Sequence, residues 1–248
     1  MKSIVLNLSP RSALYVPFAH FDMLRGLAYK LMSYDPTLSS EIHDRRFSDK
    51  KAFKFFCFTD LSGKYHNDKK KKTLIYHNSF TWELRSADDR IIDAAEQSII
   101  KRPDLEINRQ KCDVLSYEIR QKRFCADNAE FAMNTPITVY HTEESGFRRY
   151  YHPFEQEFFD GLVKNIQNKY EMFYEKTPPC DVNIVCKVPS DKDKCVTRSI
   201  EHGSEQIVNA WYGNYLITAS PEVLDFIWHT GLGGKNASGF GTVIERNL

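Results

Sequence analysis

The stretch GLGGKNASGFG, residues 231–241, places five glycines among eleven residues. A helix is predicted just before it, because Ser220-Pro221-Glu222 combines an N-cap residue, a proline at the first helical position and an acid in the first turn. A closing strand is predicted just after it, over residues 240–246. In nucleotide-binding folds the glycine-rich segment follows a strand and opens a helix. The order is reversed here, which argues against a Rossmann or P-loop site.

The glycines and the polar residues of this stretch could together bind an anion. Glycine reaches backbone conformations that are closed to other residues, so the N–H groups of the stretch could form an anion-binding nest. Lys235, Asn236 and Ser238 would add polar contacts to the same anion. A tight turn with a purely structural role is the alternative, and composition alone does not separate the two.

The rest of the second half supplies partners for this helix and strand. A strand is predicted over residues 135–141, and a long helix starts near Pro153. One face of that helix carries an apolar stripe, which comprises Phe154, Phe158, Leu162, Ile166 and Phe173. Pro178-Pro179 breaks the helix. Two further strands are predicted, over residues 182–188 and 207–218.

The first half follows the same β-α-β-β-α-β order. Its strands are predicted over residues 2–8, 53–58 and 73–82, and residues 105–120 form either one long strand or a bent strand pair. Ser62-Gly63 and a lysine run are predicted to form a long hairpin connection between the strands 53–58 and 73–82. Its first helix, over residues 20–34, carries an apolar stripe made of Leu24, Leu27, Ala28 and Leu31. On the helical wheel Tyr29 falls almost opposite that stripe, so it is not an obvious core residue.

The second helix of this half has clear boundaries. Ser86-Ala87-Asp88-Asp89 is typical of a capped helix start, and Pro103 ends the helix. Two β-α-β-β-α-β units joined near residues 121–134 predict an α+β fold with tandem ferredoxin-like (RRM-like) units and a C-terminal glycine-rich loop. We therefore expect two domains, residues 1–125 and residues 126–248.

Composition excludes several classes of protein. The 248 residues are 42% hydrophobic and 27% charged, with a net charge of +1, and no apolar stretch approaches the ~18–20 residues of a membrane span. The N-terminal apolar run is broken at Asn7, so we expect a first strand of a cytoplasmic protein rather than a signal peptide. Six scattered cysteines form no C-x-x-C pair, and the eight histidines lack ligand spacing. Neither a metal site nor a cofactor is predicted.

Positive charge is unevenly distributed despite the neutral total. Four basic clusters occur, around residues 45–54, at residues 69–72, at residues 120–123 and at Arg148-Arg149, the last inside a basic-aromatic connection. A charge run is usually a solvated loop, and Lys69 to Lys72 fits a hairpin tip. Together the four clusters are compatible with a surface that follows a phosphate backbone.

The glycine-rich stretch resembles the C-terminal signature G-x-G-x-K-N-x-x-G-F-G of the Cas6 family, the CRISPR repeat-processing endoribonucleases of the RAMP superfamily. The matching residues are Gly231, Gly233, Lys235, Asn236, Gly239, Phe240 and Gly241. Residues 24–29, 38–43 and 53–58 resemble the N-terminal half of that family in order and spacing. The fold of the family, two ferredoxin-like units, agrees with the fold predicted from pattern.

The resemblance implies a metal-independent endoribonuclease that cleaves CRISPR repeat RNA in precursor transcripts. It also implies the catalytic residues, with His43 as principal acid/base, Tyr29 as its partner and Lys54 as the cation that stabilises the transition state. Histidine suits proton transfer because its unperturbed pKa is about 6.5. The position of Tyr29 opposite the apolar stripe favours this assignment independently. Loop shifts could move the role of Lys54 to Lys50 or Lys51.

The RNA-binding residues implied by the glycine-rich loop and the nearest basic cluster form one set. It comprises Gly231, Gly233, Gly234, Lys235, Asn236, Ser238, Gly239, Phe240, Gly241, Arg45, Arg46 and Lys51. The aromatic run Phe53 to Phe58 would be core rather than a stacking surface, since its aromatics occupy both faces of the strand. His20 and His202 are weaker histidine candidates.

Two alternatives to the enzyme stay open at this point. One is a non-catalytic relative that binds repeat RNA, and the other is a structural subunit of a CRISPR ribonucleoprotein complex. Expected partners are precursor crRNA and, within such a complex, other CRISPR effector subunits; a homodimer is left open, and no membrane partner is expected.

Overall fold

The computed structural model describes residues 1–38, 41, 53–187, 190–201 and 204–246. The chain divides into two compact units. The first comprises Met1–Lys54 and Phe58–Gln121, and the second comprises Phe55–Cys57 and Lys122–Leu248. Antiparallel sheets dominate both units.

Within the described residues, the first unit is built on a seven-stranded sheet and carries two helices of more than ten residues. Its elements are β1 (Lys2–Pro10), β2 (Leu14–Pro17), α1 (Phe21–Met32), β4 (Ser62–Asp68), β5 (Thr73–Ser86), α2 (Asp89–Lys101), β6 (Asp104–Ile107) and β7 (Gln110–Arg120). The short strand β3 (Phe56–Phe58) pairs with β5 and contributes only Phe58 to this unit. The strands follow the order β2-β5-β1-β7-β6, with β4 also on β5 and β3 completing the seven. The central order β7-β1-β5 is that of a ferredoxin-like unit.

The core of this unit lies where β1 meets the helices. Ile4, Leu6 and Leu8 alternate along β1 and are fully buried, as expected for a strand with one face against the core. The helices α1 and α2 pack together. Asp88 is the N-cap of α2, and its side chain accepts a hydrogen bond from the N–H of Arg90 at 3.2 Å. The predicted helix start is confirmed.

The second unit carries a four-stranded sheet and two hairpins. Its elements are β8 (Asn128–Met133), β9 (Tyr140–Thr142), β10 (Arg148–Tyr150), α3 (Gln156–Tyr174), β11 (Asn183–Cys186), β12 (Lys194–Glu201), β13 (Ser204–Trp211), β14 (Asn214–Thr218), α4 (Pro221–Thr230) and β15 (Val243–Glu245). The sheet order is β11-β14-β8-β15. With α3 after β8 and α4 after β14, this is the ferredoxin-like arrangement. The hairpins β9–β10 and β12–β13 are insertions.

The predicted strand over residues 135–141 was wrong for most of its length. The strand of the sheet is β8, which lies inside the stretch expected to be a linker. Residues 135–139 are buried but irregular, with one isolated bridge between Ile137 and Trp211. Glu130 lies on β8 and is 7% exposed, although acids are rarely buried unless they are paired. Its carboxylate accepts from Lys187 and lies 3.6 Å from Arg246, so its charge is compensated.

Three smaller predictions also need correction. The long connection after Ser62 is a strand, β4, and only the lysine run forms the turn to β5. The predicted strand 207–218 is two strands, because the chain breaks at Gly213, whose φ of 133° no other residue adopts readily. Phe154, expected on the apolar stripe of α3, precedes the helix and is 61% exposed.

Candidate functional site

Tyr29 lies on α1, turned away from the core. Six residues of α1 are buried, namely Phe21, Leu24, Leu27, Ala28, Leu31 and Met32. Tyr29 is half-buried, because its position on the helix lies outside this stripe. The prediction that Tyr29 stands apart from the apolar face is confirmed.

Lys54 reaches Tyr29 from the segment that precedes β3. Its Nζ donates a hydrogen bond to the Oη of Tyr29 at 2.6 Å and lies 5.1 Å from the centre of the ring. A lysine ammonium carries three N–H donors, so this bond uses one of them. Both side chains are half-buried, which leaves them accessible from solvent. The structure therefore brings together two of the three predicted catalytic residues.

The backbone next to Lys54 differs from the prediction. Lys54 was expected within the strand predicted over residues 53–58, but β3 begins only at Phe56. Phe55 adopts a φ of 53°, a left-handed conformation that is an outlier for an aromatic residue. This residue breaks the alternation of the strand and sets Lys54 apart from it. The aromatic rings at 55, 56 and 58 are buried, which confirms the core interpretation.

Several predicted site residues lie outside the described residues. They are the predicted acid/base His43, the predicted RNA-binding residues Arg45, Arg46 and Lys51, the alternative lysine Lys50 and the alternative histidine His202. Their roles stay predictions. The described part of the predicted catalytic site is the pair Tyr29 and Lys54.

His20, the remaining histidine candidate, has a structural setting. It is 5% exposed and immediately precedes α1. Its Nε2 lies 2.6 Å from the Oδ1 of Asp60, and its Nδ1 lies 3.0 Å from the carbonyl of Phe18. Burial lowers the pKa of His20, but its hydrogen bond to Asp60 and the charge of Asp60 raise that pKa above the ordinary value overall. Since acceptors face both ring nitrogens, the imidazolium form fits best.

The raised pKa of His20 predicts how stability depends on pH. In the unfolded chain a histidine loses its proton near pH 6.5, whereas folded His20 keeps its proton to higher pH. Between these two values the folded state binds more protons, so the free energy of unfolding falls as pH rises. Urea unfolding across pH 5.5–9 should show this fall, and His20→Gln should flatten it. His77→Gln, at an exposed position on β5, should keep the slope; an unchanged slope in His20→Gln would contradict the assignment.

The glycine-rich loop, residues 231–241, owes its glycines to close packing. A Cβ at Gly241 would lie 1.9 Å from the carbonyl oxygen of Leu232, and a Cβ at Gly233 would lie 2.6 Å from that of Thr138. Both glycines also have positive φ, 76° and 68°. No side chain fits at these two positions, so the structure of the loop itself requires glycine there.

Most backbone N–H groups of this loop are used within the protein. Seven of the eleven donate to protein carbonyls, namely those of Gly231, Leu232, Gly234, Ser238, Gly239, Phe240 and Gly241. A buried N–H group that is already paired gains little from a ligand. The anion nest suggested by the sequence is therefore restricted to a small part of the loop.

Burial divides the predicted RNA-binding residues of the loop into two groups. Gly231, Gly233, Gly239, Phe240 and Gly241 are buried, and the Phe240 ring is fully so. Gly234, Lys235, Asn236 and Ser238 are half-buried and form the part that a ligand could touch. The first group is enclosed within the protein and shapes the loop, and its role in RNA binding stays a prediction. RNA binding by the second group stays a prediction.

Lys169 is the residue of this region that the sequence prediction missed. It lies on α3 and is 2% exposed. Its Nζ donates to the carbonyl oxygen of Gly231 at 2.5 Å and to the Oδ1 of Asn236 at 3.3 Å. Burial lowers its pKa to about 7. A signal was present, because Lys169 stands three residues after Ile166 and four before Phe173, in line with the apolar stripe.

Two cations converge on one ring beside the loop. The Nζ of Lys235 lies 5.3 Å from the centre of the Tyr140 ring, and the guanidinium carbon of Arg148 lies 5.4 Å from it. Lys235 has a φ of 60°, uncommon for a residue with a side chain. The predicted phosphate contact at Lys235 thus lies beside Arg148, a member of the fourth basic cluster.

The third basic cluster is largely neutralised by acids. Arg120 pairs with Glu118 at 2.6 Å, Lys122 with Glu245 at 2.5 Å, and Arg123 with Asp225 at 3.0 Å. By contrast, the lysine run at residues 69–72 forms an exposed turn. A run of basic residues in the sequence therefore does not by itself show that those residues form part of a phosphate-binding surface.

Other ligand classes find no match in the described part of the chain. Within it, no group of three or more His, Cys, Asp or Glu side chains is placed to hold a metal ion. No helix there is long and apolar enough to cross a membrane. The six cysteines are free thiols.

Comparison with known proteins points to one family. The family model described as "CRISPR associated protein Cas6, C-terminal" matches residues 118–244. A CRISPR-associated endoribonuclease Cas6 from Pyrococcus furiosus is 22% identical over 237 residues, which cover 95% of this chain and 86% of that relative. The chain is similar to the solved structure titled "Characterization of a Cas6-related gene from Pyrococcus furiosus", with a TM-score of 0.81 at 19% identity and coverage of 99% of this chain and 98% of that one.

A second solved structure carries the same fold. It is titled "An RAMP protein binding different RNA substrates", and it superposes with a TM-score of 0.78 at 20% identity, over all of both chains. At such identity the likeness shows the fold, two ferredoxin-like units, and confirms the predicted fold class. Because the family model spans more than half of the 248 residues, this chain belongs to the Cas6 family.

Proposed function

We propose that this chain is a metal-independent endoribonuclease that cleaves CRISPR repeat RNA in precursor transcripts. Membership of the Cas6 family and the similarity to a named Cas6 endoribonuclease support the reaction class. The observation that carries the proposal is the hydrogen bond of 2.6 Å between Lys54 and Tyr29, since it places a cation and a proton-bearing oxygen side by side at an accessible position.

RNA can be cut without metal because it carries its own nucleophile. The ribose 2′-oxygen loses its proton and forms a bond to the adjacent phosphorus, while the bond from phosphorus to the 5′-oxygen breaks. That 5′-oxygen takes up a proton, so the products are a 2′,3′-cyclic phosphate and a 5′-hydroxyl. The reaction needs a base, an acid and a cation that stabilises the negatively charged phosphorane.

The residues of this chain can be assigned to those three tasks. His43, by the family resemblance, is the principal acid/base, and Tyr29 is its partner at the 2′-hydroxyl or the leaving oxygen. Lys54 stabilises the phosphorane with the N–H donors that its bond to Tyr29 does not use. The Oη of Tyr29, held by Lys54, has a fixed position, which lowers the cost of orienting it for each turnover.

RNA binding is the second component of the proposal. Lys235, Asn236 and Ser238 of the glycine-rich loop contact the RNA backbone, with Gly234 letting the chain approach closely. Arg45, Arg46 and Lys51 contact phosphates near the catalytic residues. The similarity to a RAMP protein binding different RNA substrates supports this component. Other CRISPR effector subunits and a second copy of the chain are proposed as further partners.

The test is cleavage of a CRISPR repeat RNA from the same source in excess EDTA, with the product ends mapped. A single cut that leaves a 2′,3′-cyclic phosphate and a 5′-hydroxyl is expected. The matched control is the same RNA with a 2′-deoxy nucleotide at the cut, which should bind equally and stay intact. Cleavage that stops in EDTA and resumes with Mg²⁺, or cleavage of the 2′-deoxy RNA, would contradict the mechanism. Binding without cleavage would favour a non-catalytic relative.

A further inference from the structure

A buried lysine on α3 contacts the glycine-rich loop at two points. Lys169 is 2% exposed, and its Nζ donates hydrogen bonds to two oxygen atoms of the loop. Burying an amine costs free energy unless hydrogen bonds replace its water. Both hydrogen-bond acceptors of Lys169 belong to the loop, namely the carbonyl of Gly231 and the side chain of Asn236. The contact therefore links α3 to this loop specifically.

The protonation state of Lys169 suits this contact. Burial lowers its pKa to about 7, so above that pH it is mainly a neutral amine that donates hydrogen bonds and carries no charge. A methionine would fill similar space on the apolar stripe without any desolvation cost. The two hydrogen bonds that Lys169 donates to the loop account for a lysine at this position.

Asn236 connects the hydrogen bond from Lys169 to both ends of the loop. Its Nδ2 donates to the carbonyl oxygen of Leu232 at 2.9 Å and to that of Phe240 at 3.0 Å, which ties the two ends of the loop together. An asparagine amide can turn over and exchange its oxygen and nitrogen. Lys169 donates to Oδ1, so only one orientation of the amide satisfies all three contacts. The donor of Lys169 and the carbonyls of Leu232 and Phe240 therefore all favour the same orientation of the amide, the one that closes the loop.

The residues next to Asn236 form the half-buried part of the loop that a ligand could contact. Lys235 precedes it, and Asn236 to Ser238 form one 3-10 turn. We propose that Lys169 is a positioning residue, which holds Asn236 and thereby fixes the half-buried part of the loop in the conformation that binds RNA. The inference rests on the proposed function, since it assumes that the loop contacts RNA. It adds a residue of α3 that does not itself touch the substrate.

The experiment compares Lys169→Met with Lys164→Met, a substitution at an exposed position on the same helix. Binding of a repeat RNA with a 2′-deoxy nucleotide at the cut gives Kd, and single-turnover cleavage at saturating RNA gives the chemical rate. Lys169→Met should raise Kd roughly tenfold, the size of losing a buried hydrogen bond, with the saturated rate nearly unchanged. Lys164→Met should change neither. Lys169→Gln, which restores a donor on a shorter side chain, should fall between wild type and Lys169→Met.

A double variant separates positioning from general damage. Lys235→Ala should weaken binding in the wild-type background, but it should add little once Lys169→Met has released the loop, because both changes remove the same contact. Full additivity, or wild-type Kd in both Lys169→Met and Lys169→Gln, would overturn the inference. If Lys169→Met does not fold, Lys169→Gln and its combination with Lys235→Ala decide the question. Absence of RNA binding by the wild-type protein would overturn the proposed function, and this inference with it.

Discussion

Replacing Lys54 with alanine should slow single-turnover cleavage of repeat RNA by roughly 10²–10³-fold, the usual loss when one stabilising donor is removed from a charged transition state. Binding should change little, because the phosphorane carries more negative charge at the contacted oxygens than the ground-state phosphate does. Since Lys54 is half-buried and, among the described residues, hydrogen-bonds to Tyr29 alone, the variant should also fold normally.

Tyr29→Phe tests the other end of the same contact. It keeps the ring over which Lys54 lies but removes the Oη that accepts the hydrogen bond of 2.6 Å. Because the two residues act as a pair, the double variant should be little slower than the slower single variant. Single-turnover rates at saturating RNA would show this, with His43→Ala measured beside them.

A matched control separates catalysis from loss of charge. Lys30 follows Tyr29 on α1 and is exposed, so its replacement by alanine removes one positive charge close to Tyr29 in sequence without touching the contact with Lys54. Lys30→Ala should cleave at nearly the wild-type rate. Equal rates for Lys54→Ala and wild type would remove Lys54 from the mechanism, and equal losses for Lys30→Ala and Lys54→Ala would reduce its role to general attraction of RNA.

Sequence patterns predicted the parts of this site that depend on local rules. The apolar stripe of α1 is a local periodicity, so the position of Tyr29 outside the core followed from it. The contact with Lys54 joins residues 25 positions apart and came only from family resemblance. The left-handed backbone at Phe55 opposes the intrinsic preference of an aromatic residue. The surrounding fold imposes this conformation, so no local sequence pattern predicts it.

The errors in the second unit have the same origin. An acid such as Glu130 disfavours a buried strand when the sequence is considered locally. It is tolerated in β8 because Lys187 and Arg246, far along the chain, neutralise it. The main order of helices and strands, by contrast, was predicted from caps, prolines and periodicity, and the similar solved structures confirm the predicted fold class.

The glycine-rich loop shows how a motif can be found before its role is understood. Its match to the family signature was visible in the sequence, but the distribution of roles within it was not. Hydrogen bonds and burial assign Phe240 and Gly241 to the internal structure of the loop, and leave Lys235 and Ser238 at its accessible part. A sequence motif contains residues needed for the fold and residues needed for binding. The burial and hydrogen bonds of each residue are required to tell these two groups apart.

Gly241→Ala should be the most destabilising single substitution in this loop, at more than about 4 kcal/mol, a size reached only where a specific structural conflict exists. The added Cβ would lie 1.9 Å from the carbonyl oxygen of Leu232, and that oxygen accepts a hydrogen bond from Asn236 and cannot withdraw without breaking it. The φ of 76° at Gly241 adds a further conformational cost of roughly 1–2 kcal/mol for alanine. Urea unfolding, with the midpoint and slope compared against wild type, measures the total.

Gly26→Ala supplies the matched control, because it adds the same methyl group elsewhere in the chain. Gly26 lies on α1 with no atom within 4 Å of the added Cβ, so alanine should be neutral or stabilising by about 0.5–1 kcal/mol through its helix preference. If Gly241→Ala unfolds at the wild-type midpoint, the packing of residues 232, 236 and 241 described above is wrong. If instead the variant stays folded under mild conditions but loses RNA binding, the closed conformation of the loop is what the RNA recognises, because alanine at this position adds no charge and removes no donor.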